Sequence, residues 1–306
     1  MKVFTCHRFP LPLPAGHRFP AQKYALLWQA VSTAGLLAPG DLLAPEPAGD
    51  EQILRAHDED YLRRVKTGQL SDKEIRALGL PWSPELVARS LCSAGATIAA
   101  CRAALCEGLA VSLSGGTHHA FRDRGQGYCV FNDSLIAARA MQAEGRVQRA
   151  VIVDCDVHQG NGTAAMAAGD PTLFTFSIHG AHNFPFRKEA SDLDVELEDE
   201  TGDAAYLEAL RAGLVRALER ADAGLAIYLA GADPYVGDRL GRLALSQAGL
   251  AERDRLGVEL CRGADLPVAT VMSGGYGRQI EDTVEIHLQT VRIAAEMADR
   301  LAREAR

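Results

Sequence analysis

Asp154, Asp156 and His158 stand at alternate positions in VDCDVHQGNGT (153–163). A β-strand rises about 3.3 Å per residue and sends successive side chains to opposite faces, so the three share one side. Neighbouring Cα atoms in this set lie roughly 6.6 Å apart, which lets Asp156 and His158 chelate one ion. Asp154, roughly 13 Å from His158 on an extended strand, is too distant to share that ion and is expected to act behind the ligands. Catalytic zinc ordinarily keeps three protein ligands and one open position. Asp233, in LAGADPYVGDRLG, is the candidate third ligand. Two carboxylates and one imidazole suit a Lewis-acidic ion such as zinc or ferrous iron.

His118 and His119 are adjacent and follow Gly115 and Gly116, which permit a tight turn. Beside such an ion, zinc lowers the pKa of a bound water to about 7, where an imidazole can take and return a proton. Tandem histidines also permit a division of labour, the one with a carboxylate partner becoming the more basic. Tyr276, in SGGYGR, offers a phenol that can donate to a developing oxyanion. Plainer readings exist for each group: a hydrogen-bonded loop start, a turn aspartate before proline, a pair of satisfied loop histidines. A phosphate-binding loop is excluded, because no GxxxxGK[ST] follows the glycines.

These residues sit at the tips of short apolar runs: Leu109–Ser114, Ala150–Asp156, Thr172–Ile178, Leu225–Ala230 and Pro267–Ser273. Between the runs, segments 84–106, 132–144, 203–220, 247–262 and 280–304 carry helical periodicity. Continuous apolar strands alternating with amphipathic helices predict an α/β fold: a mostly parallel central sheet covered by helices on both faces. Ligands bind beyond the carboxyl ends of the strands in such folds. The tips read SGGTHH, DCDVH, SIH, AGAD and SGGY, and five of them on one rim make a site. The alternating acidic and apolar segment SDLDVELEDETGD (191–203) reads as a solvated edge strand. HRFPLPLPAGHRFP (7–20) reads as a rigid surface loop, and His57 as ordering a helix start.

The chain has 306 residues with no linker-like stretch, which predicts one domain over 1–306. A net charge of −8 argues against nucleic acid as the partner and would tolerate cationic substrates. Seven cysteines without a CxxC pair fit reduced, mostly structural thiols in a cytoplasm. MKVFTCHRFP lacks the apolar segment of a signal peptide, and no run approaches the roughly 18 apolar residues of a membrane span.

The set as a whole resembles the histone deacetylase family. The resemblance spans about residues 16–300 and is most specific in GGTHHAFRDRGQGYCVFND (115–133), VDCDVHQGNGT (153–163), AGADPYVGDRLGRLALSQAGLAERD (230–254) and SGGY (273–276). Its wording is most similar to class IV and its bacterial relatives. The resemblance implies an arginase/deacetylase-like fold and an amide hydrolase that removes acetyl or longer fatty acyl groups from lysine. It implies zinc on Asp156, His158 and Asp233, and a pairing of His118 with Asp154. His119 becomes the general base toward the activated water, and Tyr276 polarises the carbonyl.

Asn161 stands where many relatives have an aspartate, so His119 is expected to be less basic here. Tyr128 replaces a phenylalanine of the acyl channel, Gly127 offers a carbonyl to the leaving ammonium, and Leu240 forms an apolar wall. A monovalent cation such as K+ is implied at Asp154 and Ser177. Competing readings are a deacylase of acylated polyamines or other small amides, a binuclear arginase-like enzyme and a non-catalytic acyl-binding protein. The binuclear site needs a further carboxylate at residue 160, which is glycine.

Overall fold

The computed structural model describes residues 1–304. Eight strands form one parallel sheet: β1 (Lys2–Phe4), β2 (Leu42–Leu43), β3 (Leu109–Ser112), β4 (Ala150–Asp154), β5 (Leu173–Gly180), β6 (Leu193–Leu197), β7 (Ala226–Leu229) and β8 (Val268–Val271). Their order is β2-β1-β3-β8-β7-β4-β5-β6. The ten helices are α1 (Lys23–Thr33), α2 (Asp50–Leu54), α3 (Glu59–Thr67), α4 (Asp72–Leu78), α5 (Pro84–Glu107), α6 (Asp133–Ala143), α7 (Asn161–Ala167), α8 (Asp203–Ala221), α9 (Gln247–Gly263) and α10 (Ile280–Glu304).

Strand periodicity divides the core between two faces. In β4, Ile152 joins the cluster under α5 and α6, while Val151 and Val153 join Leu210 and Leu214 of α8. On the same second face, Val111 of β3 packs with Leu27 of α1 and Val291 of α10. Each such side chain, fully removed from water, contributes roughly 1.5–3 kcal/mol. Helix starts are marked locally: Ser83 Oγ accepts from Leu86 N (3.1 Å) ahead of Pro84, and Asn132 Oδ1 accepts from Leu135 N (3.1 Å).

The expected α/β architecture is the one observed, and the five apolar runs and five periodic segments all lie on strands and helices. Segment 191–203 does contain an edge strand, β6. One expectation needs correction. The extended geometry assumed through His158 ends at Asp154, beyond which Asp156 Oδ1 accepts from the backbone N–H of His158 (3.0 Å) and bends the chain. His57 does lie at the start of α3 and orders it: its ring bridges Arg122 O (3.2 Å) and the N–H of Asn132 (2.9 Å), tying that start to the loop before α6.

Strands β3, β8, β7, β4 and β5 are consecutive neighbours. The carboxyl ends of β3, β8, β7 and β4 carry the histidine pair, Tyr276, Asp233 and the Asp156–His158 segment, and Ser177 lies within β5 beside Asp154. Six of the seven cysteines are buried, Cys155 among them in the core beside β4. No helix among the described residues is long and apolar enough to cross a membrane.

Candidate metal centre and active site

One ligand atom from each of Asp156, His158 and Asp233 lies within 4.8 Å of the others, and all three residues are buried. His158 Nδ1 is 2.9 Å from Asp156 Oδ1 and 3.3 Å from Asp233 Oδ2. Asp233 Oδ1 accepts from Val157 N (3.0 Å), whereas Asp233 Oδ2 is buried with no hydrogen-bond partner. Buried polar atoms are rarely left unpaired. Burial and the Asp156 carboxylate push the Asp233 acid up to about 7, a crowding of negative charge that a divalent cation relieves. The donor set, one nitrogen and two carboxylates, fits zinc.

Glycines bring the β8 loop against this cluster. A Cβ on Gly274 would fall 1.9 Å from Asp233 Oδ2 and 2.6 Å from Asp156 Oδ2. Without that atom, Gly274 N (2.8 Å) and Ser273 Oγ (2.7 Å) donate to Asp156 Oδ2. The same loop continues to Tyr276, whose N–H donates to Asp238 Oδ2 at 2.6 Å. Asp238 Oδ1 meanwhile accepts from Leu240 N (2.7 Å) and Gly241 N (3.0 Å). One buried carboxylate therefore fixes both the Tyr276 and Leu240 segments. Burial, with Asp233 and Asp156 adding to it, holds the Tyr276 phenol well above its ordinary range, so it remains a proton donor.

The histidine pair is positioned from behind by Asp133 at the start of α6. Its carboxylate accepts from Gly116 N (3.1 Å), Thr117 N (2.7 Å) and Thr97 Oγ1 (2.5 Å). His118 Nδ1 lies 2.6 Å from Asp154 Oδ2. Burial alone would lower its pKa, but Asp154 and Asp156 outweigh that and hold it up at about 9. His119 takes the opposite direction: burial, then the neighbouring His118 and His158, push it well below the ordinary histidine value.

Asn161 Nδ2 donates to Gln126 Oε1 (3.0 Å), which turns Asn161 Oδ1 toward His119 Nδ1 (2.7 Å). His119 is thereby a donor at Nδ1 and an acceptor at Nε2. The two histidines are chemically distinct, as a carboxylate partner on one and an amide on the other require.

A cavity of about 700 Å³ opens over these groups, lined by His118, His119, Asp156, His158 and Tyr276 together with Gly127, Tyr128 and Leu240. Gly127 and Tyr128 both have positive φ, held there by bonds from their N–H groups to Ala77 O (3.1 Å) and Leu78 O (2.8 Å) of α4. Asp154 and Ser177 are register partners on β4 and β5, and Ser177 Oγ is 2.8 Å from His179 Nδ1.

Of the residues singled out from the sequence, His118, His119, Asp156, His158, Tyr276, Gly127, Tyr128 and Leu240 line the cavity. Asp233, Asp154 and Asn161 stand behind them in contact with His158, His118 and His119, and Ser177 lies beside Asp154 on the sheet. The structure adds Phe19 and Phe184 to the wall, Gln126 behind Asn161, and Asp238 and Asp133 as anchors. Phe19 belongs to the loop read as a mere surface feature. Asp238 and Asp133 fall inside the specific stretches around residues 233 and 133, but nothing in their spacing marks them. Of the remaining histidines, His182 lines the cavity, His17 bonds to Gly79 O (3.1 Å), and His7 stacks on Trp28 with ring centroids 4.2 Å apart.

Comparison with known proteins agrees with this layout. Residues 17–291 match the model of the histone deacetylase domain. The chain is 43% identical to an uncharacterized protein of Picosynechococcus sp. over 276 residues, covering 90% of this chain and 92% of that protein. It is 28% identical to histone deacetylase 2 of Arabidopsis thaliana, covering 88% of this chain and 73% of the relative. The crystal structure of an HDAC homologue from Aquifex aeolicus superposes with a TM-score of 0.84 at 21% identity, over 96% of this chain and 84% of that one.

Proposed function

The chain belongs to the histone deacetylase family, and from that premise we propose that it hydrolyses the amide of an acylated lysine side chain. Residues 1–306 act as one catalytic unit in this reading. The observation that carries it is the convergence of the Asp156–His158–Asp233 cluster, a neutral histidine and a buried phenol on one cavity.

Asp156, His158 and Asp233 would hold the divalent ion, zinc by the chemistry of the donors. When bound, that ion supplies Lewis acidity, acidifying water and polarising a carbonyl. His119, neutral and with Nδ1 committed to Asn161, receives the proton of the attacking water at Nε2. Tyr276 donates its phenolic hydrogen to the oxygen that gains charge as the carbonyl becomes tetrahedral. As the C–N bond breaks, His119 returns the proton to the amine nitrogen, so atoms and charge balance.

Gly127, on the lining, would offer its carbonyl to the departing ammonium, and Phe19, Tyr128, Phe184 and Leu240 would give the acyl chain an apolar wall. Acetyl and longer acyl groups are both compatible with such a wall. The register pairing of Asp154 with Ser177 supports a monovalent cation there, such as K+, which would brace the Asp154–His118 pair. The test is turnover of an acyl-lysine peptide by the metal-free protein and after titration with Zn²⁺. The reading expects activity to appear with the first equivalent, and an inert zinc-loaded protein overturns it.

A further inference from the structure

We propose that the mouth of this cavity selects acyl-lysines flanked by carboxylates, and rejects polycations; this inference rests on the hydrolase reading above. Overall charge points the other way, since the chain carries −8. Local charge decides what docks at a mouth, because interactions between exposed charges are largely screened beyond about 8–10 Å.

Three arginines line the cavity: Arg76 from α4, and Arg239 and Arg242 from the loop that follows β7. The only carboxylate among the lining residues is Asp156, which belongs to the metal cluster. Among the described residues, neither Arg76 nor Arg239 has an acidic partner within ion-pair distance. Arg239 instead donates from Nε to Tyr276 O (3.0 Å) and from Nη2 to Arg18 O (3.4 Å), which holds a guanidinium at the junction of the Tyr276 and Leu240 segments. Arg242 shares its charge with Asp199 (3.1 Å) and remains 53% exposed. His182, also on the lining, shares that same Asp199 (3.4 Å).

Guanidinium groups present a planar fork that matches a carboxylate; among the described residues Arg76 makes no internal hydrogen bond and has that fork free, while Arg239 keeps Nη1 for a partner. A polyamine or an arginine-rich tail entering the cavity would bring further positive charge against three guanidiniums. A peptide with Asp or Glu beside its acyl-lysine would pair with them. Each exposed pair is worth up to about fivefold in affinity, so several together give about tenfold discrimination.

The zinc-loaded full chain is assayed on three acetyl-lysine peptides whose flanks are Glu-rich, Ala-rich or Arg-rich, on N-acetylspermidine, and on diacetyl-lysine with a free or amidated carboxylate. Fluorescence anisotropy with labelled forms of the same peptides reads binding independently of turnover. The expected result is about tenfold higher kcat/KM and tighter binding for Glu flanks over Arg flanks, shrinking toward parity at high salt. That ratio should fall to about twofold or less in Arg76→Gln/Arg242→Gln.

A preference for free over amidated diacetyl-lysine of similar size would identify a small carboxylate as sufficient; its absence, with the peptide preference intact, assigns the recognition to flanking side chains. Equal or inverted flank preference, or acetylspermidine outrunning the Glu-flanked peptide, overturns the proposal while leaving a working hydrolase. Flank-dependent binding without any turnover would instead sink the hydrolase reading and retain the carboxylate-selective mouth.

Discussion

His119 Nδ1 lies 2.7 Å from the Asn161 side-chain oxygen, and the Asn161 amide nitrogen is itself spent on Gln126. An amide fixes the imidazole's tautomer without supplying the negative charge that raises basicity. Burial first, then the neighbouring His118 and His158, hold His119 well below the ordinary histidine value, and the Asn161 bond offsets only part of that.

Asn161→Asp adds that charge and stabilises the imidazolium, so the pKa of the base rises. The acid limb of the kcat/KM profile should then move to higher pH by about one unit or more, since an opposite charge in contact shifts a pKa by one to three. Asn161→Ala, which removes the acceptor and frees the ring, should lower kcat by roughly 10–100-fold. An unshifted acid limb in the aspartate variant would remove His119 from the role of base.

Tyr276→Phe should fold normally and lose about 10²–10³ in kcat with little change in KM, as expected for a donor that acts on charge developing in the transition state. Full turnover by this variant would mean that the phenol does no more than line the wall.

Asp238 accepts three backbone N–H groups, from Leu240, Gly241 and Tyr276. Asp238→Ala strands these donors in a buried place at roughly 1–3 kcal/mol for each group left unsatisfied. Thermal denaturation should show a lower Tm. The kcat of the surviving folded fraction should fall at least about tenfold, because the phenol-bearing loop loses its anchor. Asp238→Asn, which keeps acceptor oxygen, should recover part of both losses.

The element pattern was legible because burial imposes it: strands covered on both faces become continuous apolar runs, and helices such as α8 keep their periodicity. Strands β1 and β2, of three and two residues, are too short to carry a period. The short helices α2 and α4 are defined by caps more than by an apolar stripe. In the site, the candidate ligands and acid–base groups were legible because aspartate, histidine and tyrosine at strand ends are costly to bury without a purpose. Phe19 and Phe184 were not, since an aromatic in a loop gives no sign of which wall it will join. Asp133 and Asp238 act through backbone N–H groups, a partnership that spacing does not reveal.

His57 supplies a pH-dependence of stability away from the metal cluster. Burial pushes its pKa down from 6.5 to about 4, outweighing the bond to Arg122 O, and its Nε2 accepts from Asn132 N. The unfolded chain therefore binds the proton more readily between pH 6.5 and 4. Stability rises with pH through that window and is lost on acidification, by up to about 3 kcal/mol from this residue. Denaturant melts at pH 7 and pH 4.5 should show His57→Gln less stable than the parent at pH 7, with a smaller loss on acidification. An equal loss in both proteins would assign the acid sensitivity elsewhere.

The central claim is that one divalent ion is held by Asp156, His158 and Asp233. Isothermal titration of the metal-free protein with Zn²⁺, checked by elemental analysis after dialysis, tests it most directly. One zinc per chain is predicted, with at least about a hundredfold weaker binding in Asp233→Asn and Asp156→Asn. Zinc that binds the variants as tightly as the parent, or fails to bind the parent at all, would contradict the account.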